Sequence, residues 1–224
     1  MKFRQGFTLI ELLVVVAILA VLAAIAVPNF LEAQTRAKIS RAKSDLRTLA
    51  LGLESYTTDN NAAPRGNNFQ LSTLFAAPLW GDKGLLLLST PVAYLSSSLL
   101  IDPFNGEYRW STSGNTAVAD SNPERIWYKY SARDFAGTVG TWGSPDFDTG
   151  SDKTDWWILQ SCGPARIRYP LGSGLLDPGQ PEAFLNRVYD PTNGTVSLGS
   201  IYRAGGSPTG PSAFVFDLIH TANR

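Results

Sequence analysis

One carboxylate stands inside an apolar stretch near the start of the chain, where an ionised group is costly. The stretch opens with Gly6-Phe7-Thr8-Leu9-Ile10-Glu11, follows a leader that carries Lys2 and Arg4, and then runs without another charge to Val27. An ionised side chain at bilayer depth costs about 2.5 to 3.5 kcal/mol even on lenient insertion scales, so such a residue usually has a partner. The chemistry predicted at Glu11 is therefore charge pairing.

A short basic leader, a glycine and an apolar run holding one carboxylate together resemble a type IV prepilin or a type II secretion pseudopilin. The resemblance implies that a prepilin peptidase cuts between Gly6 and Phe7 and methylates the new Phe7 amine. That ammonium would lie on the same helical face as Glu11, four residues upstream. The resemblance also implies that Glu11 pairs with the Phe7 amine of a neighbouring subunit in a filament, and pairing within one helix is the alternative.

An ordinary secretory signal is the competing interpretation, because Ala24-Ile25-Ala26 has the small-x-small pattern of a signal-peptidase site. Cleavage there would leave a secreted soluble binding domain. The apolar run from Phe7 to Val27 has 21 residues, which as a helix span about 32 Å and suit a bilayer better than a signal core. We expect a single-pass inner-membrane protein with its leader in the cytoplasm, because no basic residue lies between Pro28 and Thr35.

The elements that must position this site begin with one long helix. Apolar residues recur at intervals of three and four beyond the anchor, which predicts an amphipathic helix with one buried stripe: Ile39, Ala42, Leu46, Leu49, Leu53 and Tyr56. We expect one element from Phe7 to about Thr57, with a kink or a locally melted turn at Pro28. In the family that the chain resembles, a proline here lets the helix extend when subunits pack.

The predicted organisation is a cleaved leader 1–6, a transmembrane and filament-core helix 7–27, an amphipathic extension 28–57 and a periplasmic pilin-like domain 58–224. Loop residues after the helix give way to segments typical of short helices or packed turns at Leu71–Phe75 and Leu85–Leu95. Strand-like runs then follow at 127–131, 155–161, 195–198 with 201–202, and 214–219. The predicted fold class is α+β, a long helix covering a small antiparallel sheet.

Later segments are similar to the major, G-type pseudopilins of type II secretion. They are Thr90–Leu95, the turn Asp102-Pro103-Phe104-Asn105-Gly106, the stretch Trp157–Pro164, and Asp190–Ser197. That family binds calcium after its Ser-x-Gly turn, but Ala165-Arg166 stands here where an acidic residue is expected. Asp146, Asp148 and Asp152, with Asp155, are weak calcium candidates because a hard cation accepts such carboxylates. A solvated acidic turn is the preferred interpretation, so we expect no metal and no cofactor.

Other residues point away from catalysis. The chain holds neither a nucleophile elbow nor a phosphate loop, and its single histidine, His220, has no second histidine for a metal site. Its formal charge is zero, which gives no reason to expect nucleic acid as a partner. One cysteine, Cys162, excludes an intrachain disulfide, and we expect a buried thiol. Of the adjacent Trp156 and Trp157, alternation along a strand predicts one in the core and the other exposed or at an interface.

These observations predict a structural subunit, not an enzyme, of a type II secretion-like pseudopilus. The resemblance implies partners of three kinds: other copies of the chain or related subunits, the prepilin peptidase, and an inner-membrane assembly platform with its ATPase. The filament would then drive protein export. A type IV pilin for adhesion, motility or DNA uptake shares every N-terminal feature and stays open, as does the choice between a major and a minor subunit.

Overall fold

The structure is a computed structural model of the 224-residue chain. It describes residues 8–64, 83–104, 109–111, 117–119, 128–133, 156–168, 188–192, 197, 199–206 and 217. Within these residues lie two helices and two three-stranded sheets, and the helix that starts the chain packs on one of the sheets. The predicted α+β class, a long N-terminal helix on a small antiparallel sheet, is confirmed.

Helix α1 runs from Leu9 to Asn60, 52 residues, and carries both the apolar and the amphipathic half. It begins two residues after the predicted start, because Thr8 is its N-cap and has an extended conformation. It ends three residues beyond the predicted end because Asn61 takes a left-handed conformation, φ 54°, which asparagine tolerates at a helix C-terminus. The helix is continuous through Pro28, so of the two expected alternatives the locally melted turn is wrong for the single chain, and a kink stays a prediction. Proline removes only one backbone bond, and the helical bonds of the neighbouring turns hold the segment.

The amphipathic half of α1 buries one stripe against the sheet. Ile39, Ala42, Leu46, Leu49 and Leu53 are buried as predicted, and Tyr56 is half-buried at the edge of the same cluster. Opposite them lie the residues of the sheet face: Tyr128, Tyr130, Ala132, Trp157, Leu159 and Ile201. The stripe is therefore the cover that the sheet requires.

That sheet has the order β3-β4-β6, with β3 Lys129–Arg133, β4 Trp156–Ser161 and β6 Ile201–Gly206, all antiparallel. Its three strands correspond to predicted runs, shifted by two residues in β3 and lengthened to Gly206 in β6. Of the predicted run 195–198 only Ser197 is described, and it belongs to no strand. Of the run 214–219 only Asp217 is described, and its backbone is helical, not extended.

The second sheet, in the order β2-β1-β5, was not predicted. It consists of β1 Arg109–Ser111, β2 Ala117–Ala119 and β5 Ile167–Arg168. Strand β1 pairs antiparallel with β2 and parallel with β5. Strands of two or three residues are too short to have a readable alternation of apolar and polar residues, which explains the omission.

Both tryptophans of β4 are buried within the chain, so the prediction that one of them has a surface position, exposed or at an interface, is wrong. Trp157 is 1% exposed and lies in the core under α1, whereas Trp156 is 4% exposed and points to the other face. All six residues of β4 are buried. A central strand whose two faces are both covered loses the polar alternation on which the prediction rested.

The region after α1 turns back onto the helix. The predicted segment Leu85–Leu95 begins within a short helix, α2, Lys83–Leu86. Turns follow it, and in them the Leu88 carbonyl accepts hydrogen bonds from the backbone N–H groups of Tyr94 and Leu95. Leu95 packs on α1 at Gly52, where an added Cβ would lie 2.8 Å from the leucine Cδ1. Glycine thus permits the close approach. The other predicted short helix, Leu71–Phe75, lies outside the described residues.

Candidate functional site

The start of α1 is fixed by a reciprocal pair of side chains, Thr8 and Glu11. Thr8 is the N-cap residue in extended conformation, and its Oγ1 accepts a hydrogen bond from the Glu11 backbone N–H at 3.3 Å. In return, Oε2 of Glu11 accepts from the Thr8 backbone N–H at 2.9 Å and from the Thr8 hydroxyl at 2.6 Å. This is a capping box, which satisfies two N–H groups that a helix start leaves unpaired.

The capping box uses one oxygen of the carboxylate. Both bonds to Thr8 end on Oε2 of Glu11, and no donor in the described part of the chain contacts Oε1. An ionised carboxylate can accept about four hydrogen bonds. Glu11 is also exposed, so Oε1 is accessible to a donor on another molecule.

The first half of α1 makes an apolar rod that projects from the rest of the chain. Its large apolar side chains between Leu9 and Leu31 are 46–75% exposed. The helix is long and apolar enough to cross a membrane, and its most apolar 18-residue window contains no buried residue. Exposed apolar surface of this extent needs lipid or another protein surface to cover it.

The second half of α1 is tied to the domain by polar contacts as well as by the apolar stripe. The Tyr128 hydroxyl donates to Oδ2 of Asp45 at 2.8 Å, and burial together with this carboxylate raises the pKa of Tyr128 far above its ordinary value. The Lys43 ammonium lies 5.8 Å from the centre of the Tyr189 ring, within the range of a cation–π contact. These contacts fix the direction in which the apolar rod leaves the domain.

Two of the segments that carry the family resemblance meet at Asp102. This side chain is 1% exposed. Its Oδ1 accepts from the Phe104 backbone N–H at 3.0 Å and from the Ser161 hydroxyl at 2.9 Å, while Oδ2 accepts from the Cys162 backbone N–H at 2.8 Å. The Asp-Pro turn is therefore bonded directly to the end of β4, and a buried carboxylate so surrounded by donors is structural.

The turn that follows β4 contains Ala165-Arg166, the residues that differ from the calcium-binding pattern. Arg166 is exposed with φ 55°, and its backbone N–H donates to the Gly163 carbonyl at 3.0 Å. Cys162, just before this turn, is a buried free thiol, which confirms that prediction. Among the residues that the structure describes, no group of three or more His, Cys, Asp or Glu side chains is arranged to hold a metal ion.

Several predicted site residues lie outside the described residues, and their predictions stand as made. They are the processing residues Gly6 and Phe7, the acidic residues Asp146, Asp148, Asp152 and Asp155, and His220. Glu11 and Pro28 are described, both on α1 and 17 residues apart in sequence.

Sequence reasoning missed the roles of Thr8, Asp45 and Asp102, although Thr8 followed three residues later by Glu11 is the local signature of a capping box. The signal at Asp102 was local, because an aspartate whose carboxylate accepts from the backbone two residues later forms an Asx turn. Nothing local marks Asp45, since its partner Tyr128 is 83 residues away.

Comparison with known families agrees with this arrangement. Residues 1–27 match the model of the prokaryotic N-terminal methylation motif, and residues 29–121 match the model of type II secretion system protein G. The second match ends before β3, so the sheet β3-β4-β6 lies beyond it. No solved structure matches the chain.

Characterised relatives include both secretion and pilus proteins. Type II secretion system core protein G of Pseudomonas aeruginosa is 30% identical over 146 residues, which cover 62% of this chain and 95% of the relative. The type IV wide pilus major component PilA4 of Thermus thermophilus is 33% identical over 132 residues, 55% of this chain and 98% of the relative. The type IV major pilin protein PilA of Myxococcus xanthus is 49% identical over 58 residues, 26% of each chain.

Proposed function

The chain belongs to the family of type II secretion system core protein G, and on that premise we propose that it is a structural subunit of a pseudopilus that drives protein export. In this proposal the precursor is cut between Gly6 and Phe7 by a prepilin peptidase, and the Phe7 amine is methylated. The mature subunit is then extracted from the membrane into a helical filament.

The exposed apolar half of α1 is the observation that supports this function most directly. It is continuous with an amphipathic half whose buried stripe is already covered by the domain. The apolar half thus has two suitable environments, the hydrocarbon of a bilayer and the same helices of other subunits. A subunit that passes from the first environment to the second keeps its apolar surface covered throughout.

Glu11 supplies the polar contact of the proposed assembly. Its Oε2 stays in the capping box with Thr8, and its free Oε1 receives the Phe7 ammonium of an adjacent subunit. Such a pair would set the axial offset between neighbours. Pairing of Oε1 with the Phe7 ammonium of the same chain is the alternative.

The proposed location is the inner membrane, crossed once, with the leader in the cytoplasm and the domain in the periplasm. Lys2 and Arg4 precede the span, whereas the first basic residue after it is Arg36. The positive-inside rule weighs charges close to the span and holds weakly for long translocated domains. Protease digestion of the domain in spheroplasts, with lysed cells as the control, tests this orientation.

The remaining parts of the proposal concern chemistry and partners. The subunit catalyses no reaction, and the energy for extraction comes from a separate assembly ATPase acting through a membrane platform. Pro28 would matter at this stage, where the helix must adapt to its neighbours. Calcium, held by Asp146, Asp148 and Asp152, is the less favoured possibility for the domain.

A type IV pilin is the second candidate, and the similarity to pilus components of Thermus thermophilus and Myxococcus xanthus favours it. Such a filament would leave the cell surface and serve adhesion, motility or DNA uptake. Deletion of the gene separates the two candidates: loss of protein secretion with normal surface filaments supports the pseudopilus, and loss of surface filaments or twitching with normal secretion supports the pilus.

The first experiment is mass spectrometry of the N-terminal peptide from membrane-extracted protein, combined with the deletion strain above. A peptide that begins at Phe7 and carries one added methyl group is the expected result. A peptide that begins at Val27 would contradict the proposal, because the protein would then lack both the anchor and the filament core.

A further inference from the structure

Three basic residues form a collar on α1 between the apolar rod and the domain. The collar consists of Arg36, Lys38 and Arg41, and no basic residue lies between it and the leader. The Arg36 and Arg41 side chains are 71% and 66% exposed, and Lys38 is half-buried. The filament-assembly argument leaves this charged surface without a role.

The collar lies at the depth of lipid headgroups when the apolar rod spans a bilayer. Leu9 to Leu31 is 23 residues, or about 34 Å of helix, which matches a hydrocarbon core of about 30 Å with a modest tilt. On the same scale the collar begins about 7 Å beyond Leu31 and ends about 15 Å beyond it. Arg36 and Lys38 thus reach the headgroup layer, and Arg41 lies about one Debye length further out.

The charge of the collar is only partly neutralised within the chain. Arg36 is ion-paired with Glu32 one turn earlier, and Nε of Arg41 lies 3.7 Å from Asp45. In each pair the arginine is exposed and the acidic partner is half-buried, and ion pairs that reach solvent are worth little. An arginine has five N–H donors, so each guanidinium keeps donors for a second acceptor. Lys38 makes no ion pair within the described part of the chain.

The three side chains are distributed around the helix, not along one face. At 3.6 residues per turn, Lys38 and Arg41 lie about 200° and 140° around the axis from Arg36. A protein partner that docks on one side would meet only part of such a ring. A shell of phospholipids surrounds a membrane helix on all sides and meets the whole ring.

We propose that the collar of Arg36, Lys38 and Arg41 binds the phosphates of anionic phospholipid headgroups while the subunit resides in the membrane. The guanidinium groups are suited to phosphate oxygens, and the adjoining apolar rod holds the lipid chains beside them. This contact orients the domain above the bilayer before assembly. The proposal depends on membrane insertion, and it is independent of filament formation.

The experiment measures which lipids surround the membrane-embedded protein. Full-length protein is placed in nanodiscs, and electron paramagnetic resonance compares spin-labelled phosphatidylglycerol with spin-labelled phosphatidylcholine in the motionally restricted lipid shell. A basic residue at a membrane surface raises the affinity for anionic lipid about fivefold. Because this effect is averaged over several lipids of the shell, we expect phosphatidylglycerol to be preferred over phosphatidylcholine about twofold or more. Raising the salt to about 0.5 M should reduce it.

The matched variants are Arg36→Gln/Lys38→Gln/Arg41→Gln and the control Arg47→Gln. Arg47 is exposed on the same helix but lies about 24 Å beyond Leu31, too far for headgroup contact. The triple variant should lose the preference, and the control should keep it. Equal association of the two lipids with the native protein would overturn the proposal, as would an unchanged preference in the triple variant. A triple variant that keeps the preference but fails to form filaments would assign the collar to contacts with other subunits.

Discussion

Replacing Glu11 by glutamine separates the two roles that the start of α1 allows for this side chain. Glutamine keeps an acceptor for the Thr8 backbone N–H, and capping boxes accept either residue. The variant Glu11→Gln therefore preserves the helix cap but removes the charge. Thr8→Ala is the matched opposite, because it removes the capping hydroxyl and leaves the Glu11 charge intact.

The two variants should differ strongly in assembly. Loss of an N-cap costs about 1 kcal/mol of helix stability, and Thr8→Ala should insert and assemble nearly normally. Removing one partner of a buried ion pair costs about 3 to 5 kcal/mol, which corresponds to a weakening of each addition step by about 100- to 1,000-fold or more. Glu11→Gln should therefore insert into the membrane and fail to enter filaments.

The assay is expression in cells that lack the native copy, followed by lysis of spheroplasts, sedimentation of filaments and carbonate extraction of membranes. Mass spectrometry of the N-terminal peptide confirms that both variants are processed at Phe7. Normal filaments with Glu11→Gln would refute the charge pair between subunits. Equal failure of both variants, with processing intact, would show that the cap itself is what assembly requires.

Three further predictions concern the domain, and each is checked by denaturant unfolding of the full chain in detergent. Tyr128→Phe removes the bond to the Asp45 carboxylate and should lower the free energy of unfolding by about 1.5 to 3 kcal/mol. Because the pKa of Tyr128 is raised in the folded state, the contribution of this group to the free energy of unfolding should be constant below pH 10. Above pH 10 it should fall by up to about 1.4 kcal/mol per pH unit. This alkaline loss of stability should be smaller in Tyr128→Phe. Gly205→Ala would place a Cβ 2.2 Å from Cζ2 of Trp157, and should cost about 1 to 3 kcal/mol. Asp102→Ala leaves buried backbone N–H donors without an acceptor and should lower the free energy of unfolding by about 3 kcal/mol or more. A decrease below about 0.5 kcal/mol, typical of surface changes, would contradict the structural role of Asp102.

The long helix was predictable because its information is local. The spacing of Ile39, Leu46 and Leu53 indicates which face of the helix is buried, because residues three, four or seven apart lie on the same face of a helix. The end at Asn60 was less predictable, since it depends on the left-handed conformation of Asn61. The melted turn at Pro28 was mispredicted for a related reason: its missing hydrogen bond is certain from the residue type, but the response of the surrounding turns is not.

The sheets were predictable only where a strand is long enough to have a pattern. Strand β4 is apolar from Trp156 to Leu159 and was recognised, whereas β5, of two residues, was not. Burial of Trp156 depends on what covers the second face of the sheet, and that is a property of chain segments distant in sequence. Local alternation therefore predicted the strand and could not predict its environment.

The candidate site likewise depends on one contact between neighbouring residues and on one contact between residues far apart in sequence. The cap between Thr8 and Glu11 is a bond over three residues, and its sequence signature is the capping box itself. The bond between Tyr128 and Asp45 crosses 83 residues and has no signature. Yet both are needed for one result, since the first fixes where the apolar rod begins and the second helps fix how the rod leaves the domain. A subunit that must present a carboxylate to its neighbour at a defined depth depends on α1 being held both at its start and in its amphipathic half, and only the contact at its start has a local sequence motif.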